Sequence, residues 1–248
     1  MNPAEFANIA KSEKNFWWYR GMRRILFGML DPLVAARRIE RGLDAGCGTG
    51  YFAKLVEQRY EFPTFAIDYG WPGLEHARLL GLERLAQADV RALPFAAGAF
   101  GLILSMDVIV HFERGDERPA IQDMTRLLAP SGLLVIRVSA LDALRSRHSS
   151  FAHERQRFTR GRLVEAVEGH GLKVLRSTYV NSLLLPVALA KFRIWEPLTQ
   201  QAPASGVEPV SPWLDRVLYA PLALEAKLTR AGWNLPLGQS LIVIAEKR

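Results

Sequence analysis

The chain has 248 residues, 49% of them hydrophobic, and a formal net charge of +7, enough apolar material for one large domain with a full core. Its one cysteine, Cys47, excludes an internal disulfide and a cysteine-based zinc site. The longest apolar run of the C-terminal third, "LLLPVALA" from Leu183, is broken by Pro186 and stopped by Lys191, short of the ~20 residues that span a bilayer, and the acidic residues near the N-terminus argue against a secretory signal, so the expected location is the cytoplasm.

Residues 4–38 read as helices around the aromatic cluster "FWWYRGMRRILFGML". From Arg41 short β-rich runs alternate with helical patterns: "GLDAG" and "TGYFAKLVEQ", "TFAID" and "GLEHARLLG", "RLAQAD", "FGLILSM" and "AIQDMTRLLA", then "GLLVIRVSA". Such alternation predicts βαβ units and a doubly wound, mostly parallel α/β sheet with right-handed crossovers. A strand-like "LKVLRSTYV" follows, then a helical stretch from about Ser182 to Thr199 and a linker, "QAPASGVEPVSP". A helix from Trp213 to Ala231, with a kink expected at Pro221, reads as a cover for the domain rather than a dimer face or a membrane-surface helix. The strand "SLIVIAEK" closes the chain.

Charge is unevenly spread. Residues 1–42 carry eight Lys/Arg against four Asp/Glu, residues 43–144 nine against thirteen, and residues 145–162, "RSRHSSFAHERQRFTRGR", six against one. An acidic middle with basic flanks suggests an anionic partner.

The stretch "LDAGCGTGYF" places Gly46, Gly48 and Gly50 between a strand and a helix, where backbone N–H groups and a helix N-terminus can approach a ligand closely. A dinucleotide fingerprint would need glycine where Tyr51 stands. Asp44, just before the loop, would repel a pyrophosphate and suit a cationic, amino acid-like cofactor. Asp68 closes the next strand 18 residues beyond Gly50, where a carboxylate can take both hydroxyls of a ribose, and Asp89 is read as closing the strand after that, in reach of an adenine amino group.

On these residues the chain resembles a class I S-adenosylmethionine-dependent methyltransferase, of the bacterial type 11/12-like domain families. "LDAGCGTG" matches the first motif, "FAID" the ribose-binding strand end, "ADVRALPF" the adenine-side motif, and "AFGLILSMDVIVHF" and "RLLAPSGLLVIRV" the fourth and fifth strands. The resemblance implies a seven-stranded Rossmann-like sheet with the last strand antiparallel and inserted, N-terminal helices and a helical insertion before that strand. It implies one domain over 1–248: a helical lid at 1–40, the cofactor core at 41–140 and an acceptor-side region at 141–248.

It also implies S-adenosylmethionine bound by Asp44, Ala45, Gly46, Cys47, Gly48, Gly50, Asp68, Tyr69, Asp89, Val90 and Met106, with Tyr19 and Arg23 or Arg24 expected to close over it. Adjacent helical positions lie ~100° apart, so at least one of Trp17, Trp18 and Tyr19 is expected to face a pocket. A sulfonium methyl is already activated, so alignment of the acceptor and exclusion of water are the protein's tasks, without a metal. His111, after the fourth strand, is the candidate base for a hydroxyl acceptor. His148, His153, Arg155 and Arg157 are expected to hold the acceptor under a mobile basic lid at 145–162.

The expected acceptor is an anionic small molecule, such as a glycan, lipid-linked or secondary-metabolite intermediate, methylated on O or N by a monomer or homodimer with at most peripheral membrane contact. RNA or another polyanion is the alternative, as is a non-catalytic module that only binds the cofactor. The chain lacks the Asn/Asp-Pro-Pro-aromatic motif of nucleic-acid amino methyltransferases and the separate cysteine nucleophile of the cytosine-C5 enzymes.

Overall fold

The computed structural model describes residues 2–199, 202–207 and 210–248. Met1 of the expected lid and residues 201, 208 and 209 of the expected linker lie outside them. Two helices come first, α1 (Pro3–Ser12), capped by the Asn2 side chain accepting from the Ala4 N–H, and α2 (Trp17–Ala35). The core runs β1 (Gly42–Ala45), α3 (Tyr51–Tyr60), β2 (Thr64–Asp68), α4 (Trp71–Leu79), β3 (Leu85–Gln87), β4 (Phe100–Met106), α5 (Glu117–Leu127) and β5 (Leu128–Ser139). Then come α6 (Arg147–Phe151), α7 (Arg160–Glu168), β6 (Leu172–Val180), and α8 (Leu185–Ala190), which passes through a π-turn (Lys191–Trp195) into α9 (Glu196–Thr199). α10 (Pro212–Arg230) stays one helix through Pro221, and β7 (Ser240–Lys247) ends the fold.

The strands form one seven-stranded sheet in the order β3-β2-β1-β4-β5-β7-β6, with β7 antiparallel to both neighbours and the pairs from β3 to β5 parallel. The expected sheet and the inserted last strand are both present. One strand end moves: β3 stops at Gln87, so Asp89 lies beyond the strand rather than closing it.

Period-two alternation divides the core between the two faces of the sheet. Ile103, Leu134, Ile136, Leu241 and Val243 pack with Ile121 and Met124 of α5 and Leu163 of α7. Their neighbours Leu102, Leu104, Leu133, Val135, Ile242 and Ile244 pack with Met22, Ile25, Leu26 and Met29 of α2 and Leu222 and Ala226 of α10. Burial of both faces is why these strands read as continuous apolar runs. α10 therefore covers the sheet, as expected, but in partnership with α2.

That partnership depends on Gly21. A Cβ there would lie 2.3 Å from Leu222 Cδ1 and 2.6 Å from its Cβ, so the two helices meet where one has no side chain. Gly21→Ala is expected to destabilise the fold by about 1–2 kcal/mol, because overpacking outweighs the gain of about 1 kcal/mol in helix propensity. A urea midpoint equal to or above wild type would show that α10 can move away at no cost.

Candidate active site

The chain builds β1, β2 and β3 outward in one direction and then crosses to β4 on the other side of β1. Carboxyl ends of strands diverge at such a switch point and leave a crevice. The glycine loop between β1 and α3 sits there, and each glycine has a different reason. Gly46 (φ +91°) passes against the Val108 side chain, 2.3 Å from where its Cβ would stand. Gly50 (φ +75°) packs against Ala77 of α4. Gly48 (φ +57°) faces open space, a cradle that a side chain would begin to fill.

Asp68 fixes the loop. Its carboxylate accepts from the Gly48 N–H at 2.8 Å and the Gly70 N–H at 2.7 Å, and burial raises its pKa against those bonds. Asp44 is 1% exposed, and its Oδ1 has no hydrogen-bond partner among the described residues. Burial first, then the nearby Asp68, pushes its carboxyl up to about 7, opposed by Arg137. A buried, unpartnered carboxylate oxygen at the edge of a ligand cradle calls for a donor from outside the chain. The loop and both carboxylates thus fit a cofactor with a cationic amino acid end and a ribose.

A cavity of about 770 Å³ opens from this loop. It brings together Tyr19, Asp44, Gly46, Cys47, Gly48, Asp68, Tyr69, Asp89, Val90, Met106, His111, His148 and Arg157 from the expected set. All of Trp17, Trp18 and Tyr19 line it, where at least one was expected to. Burial, with Asp44 and Asp68 close by, holds the Cys47 thiol well above its ordinary pKa.

Several expected members stand elsewhere. Ala45 is buried in β1, and Gly50 serves the α3–α4 contact. Of the two arginines expected at the lid, Arg23 lines the cavity, and Arg24 is exposed and donates to the Tyr219 hydroxyl at 3.1 Å. Asp89 is at the cavity but its carboxylate is engaged by Arg91, whose Nη2 is 2.6 Å away, which holds the carboxyl below its usual range. His153 and Arg155 have exposed side chains outside the cavity.

The basic segment is likewise not a set of free cations. Arg145 pairs with Asp142, Arg147 with Glu196, Arg155 with Glu113, Arg157 with Glu154 and Arg162 with Glu117, while Arg160 donates to the Leu235 carbonyl. Arg157 also donates to the Ala140 carbonyl and the Ser149 hydroxyl. Arg147, Arg155, Arg160 and Arg162 tie the segment after β5 to distant parts of the chain, while the ion pairs of Arg145 and Arg157 are local.

His111 stands in a short 3-10 turn (Ile109–His111), with Nδ1 3.2 Å from the His153 carbonyl. A carbonyl only accepts, so Nδ1 carries the proton and Nε2 keeps its lone pair. Burial lowers the pKa of the ring, which keeps it neutral at pH 7. His153, expected to touch an acceptor, acts here through its backbone, in the left-handed region at φ +58°.

Other cavity residues carried no expected role. Arg137 of β5 holds Asp107 at 2.6 Å and lies over the Trp18 ring; a charge inside a buried apolar strand, "LLVIRVS", was its signal, since such charges are paired. Glu13 accepts from the Thr49 hydroxyl and joins the α1–α2 turn to the glycine loop; burial pushes its carboxyl up to about 7. Asn181 is 2% exposed and lines the cavity with its Oδ1 unpartnered among the described residues. Its left-handed backbone, φ +55°, suits asparagine, but nothing in "YVNSLLLP" told where it would point.

Residues 43–136 match the methyltransferase domain family model. The chain is 41% identical over 100 residues to the Mus musculus protein named "Probable tRNA methyltransferase 9B", covering 40% of this chain and 22% of that protein. It is 33% identical over 139 residues to the malonyl-[acyl-carrier protein] O-methyltransferase of Enterobacter lignolyticus, 56% of this chain and 54% of that one. The chain thus spans about half or less of the length of these relatives. A geranyl diphosphate methyltransferase solved with S-adenosylmethionine shares the fold, with a TM-score of 0.60 at 14% identity, over 92% of this chain and 85% of that chain. Matched motifs, sheet order and loop geometry agree: residues 43–136 are a methyltransferase domain of the class I, S-adenosylmethionine-dependent family.

Proposed function

We propose that the protein transfers a methyl group from S-adenosylmethionine to a small-molecule acceptor, on oxygen or nitrogen. The observation that carries this reading is the single cavity that starts at Asp44, Gly48 and Asp68 and continues past His111 to walls of Trp17, Trp18, Leu184, Ala188, Phe192 and Leu218. Bound at the loop, the cofactor supplies an activated methyl group. Asp44 would take its ammonium group and Asp68 its ribose side, and the aromatic turn of α2 would shield the reacting end from water. His111 Nε2 accepts the proton of a hydroxyl acceptor, and Asn181 offers a polar contact in an otherwise apolar wall.

A polyanion acceptor is the second reading, favoured by the relative named for tRNA methylation. The internal pairing of the arginines at 145–162 supports the small molecule instead, because phosphate contacts need cations that are free to make them. Calorimetry should show heat on titration with S-adenosylhomocysteine and none with NAD. The reverse would overturn the cofactor assignment, and tRNA binding that weakens steeply with salt would favour the polyanion.

A further inference from the structure

The α8–α9 stretch has two unlike sides. Leu184, Ala188 and Glu196 are buried, and with Val187, Lys191 and Phe192 the stretch lines the cavity. Along it Leu183, Val187, Leu189, Ile194, Trp195 and Leu198 are each more than a third exposed, Leu198 by 76%. Scattered exposed apolar residues are ordinary, but six large ones in sixteen positions are dense enough to point to an interaction surface.

Charge narrows the partner. The exposed cations here are Lys191 and Arg193, whereas the one carboxylate of residues 183–198, Glu196, is buried and accepts from the Arg147 N–H at 2.9 Å. α10, whose Leu218 lines the same cavity, repeats the pattern. It exposes Trp213 and Val217 with Arg216 between them, and its Asp215 is held by Arg20 at 2.7 Å. Exposed apolar side chains, tryptophans and cations on a surface helix are the pattern of monotopic binding to anionic lipid. No described helix is long and apolar enough to cross a membrane.

We infer that the outer face of residues 183–198, with the first turns of α10, docks on an anionic membrane surface. Val187 is both 58% exposed and part of the cavity wall, so the docked face reaches the cavity rim and an amphiphile could pass from the bilayer into the apolar lobe. That route rests on the methyl-transfer reading; the docking itself does not.

The test is co-sedimentation of the full chain with vesicles of 70% phosphatidylcholine and 30% phosphatidylglycerol, against pure phosphatidylcholine. Wild type should bind the anionic vesicles and lose most of that binding at high salt. Ile194→Ser with Trp195→Ser should weaken partition at least tenfold, and Arg193→Ala about fivefold, the scale of one cation at an anionic surface. Both variants should keep S-adenosylhomocysteine affinity in solution, which shows that the fold survives. No binding of wild type to anionic vesicles would overturn the inference. So would a solution dimer that the Ile194/Trp195 variant dissolves, since the face would then belong to a second copy. Loss of S-adenosylhomocysteine binding by wild type would instead count against the methyltransferase reading.

Discussion

Asp44→Asn is expected to weaken S-adenosylhomocysteine binding by roughly 10- to 100-fold, the range for losing one hydrogen bond to a charged group, and to remove most of its pH dependence. In the free protein the Asp44 carboxyl is pushed up to about 7 by burial and by Asp68, so much of it is protonated just below neutrality. A ligand ammonium favours the ionised form. Wild-type affinity should therefore rise with pH up to about 7 and level off above, falling towards tenfold per unit on the acid side, where binding must release a proton. Glu13 lines the same cavity and titrates near the same pH, so Glu13→Gln is the control and should retain the slope. An Asp44→Asn protein with the wild-type affinity and pH profile would remove Asp44 from the cofactor site.

The same two carboxyls give the ligand-free protein a stability profile of definite sign. Their folded pKa values lie above the ordinary 3.8 and 4.5, so the folded chain holds more protons than the unfolded chain between those values and about 7. Their contribution is complete in acid below the unfolded values and is lost as pH rises through about 7. The profile should flatten at saturating S-adenosylhomocysteine, which compensates the Asp44 charge.

His111→Ala is the second large effect. With a hydroxyl acceptor found by screening, kcat should fall by about 10²-fold or more, the usual share of a positioned base, while S-adenosylhomocysteine affinity stays within a few-fold. A lowered pKa keeps the free ring in its basic form to lower pH than an ordinary imidazole, so the acid limb of the wild-type kcat/KM profile, which reports the free enzyme, should lie below that of an ordinary histidine. Nuclear magnetic resonance titration of the ring should find the same midpoint. Unchanged kcat in His111→Ala would leave the residue only its bond to the His153 carbonyl, as a tie between the turn after β4 and the segment after β5.

Much of this protein follows from local pattern alone. Continuous apolar runs such as "FGLILSM" and "SLIVIAEK" coincide with β4 and β7 because strands buried on both faces must be apolar throughout and bounded by turns. The glycine loop and Asp44 were legible because strand, turn and helix lie consecutively in the chain, so their spacing already is their geometry. Three-dimensional packing decided the rest. Whether an arginine is free or committed depends on partners far away in sequence: Arg162 meets Glu117, and Arg147 meets Glu196. Of Arg23 and Arg24, both candidates in the sequence, it is Arg23 that lines the cavity, a choice made by how α2 packs on the sheet and on Leu222 of α10. Asn181 and Arg137 reach the cavity because β5 and β6 flank β7 in the finished sheet, a neighbourhood that exists only after the last strand has been inserted.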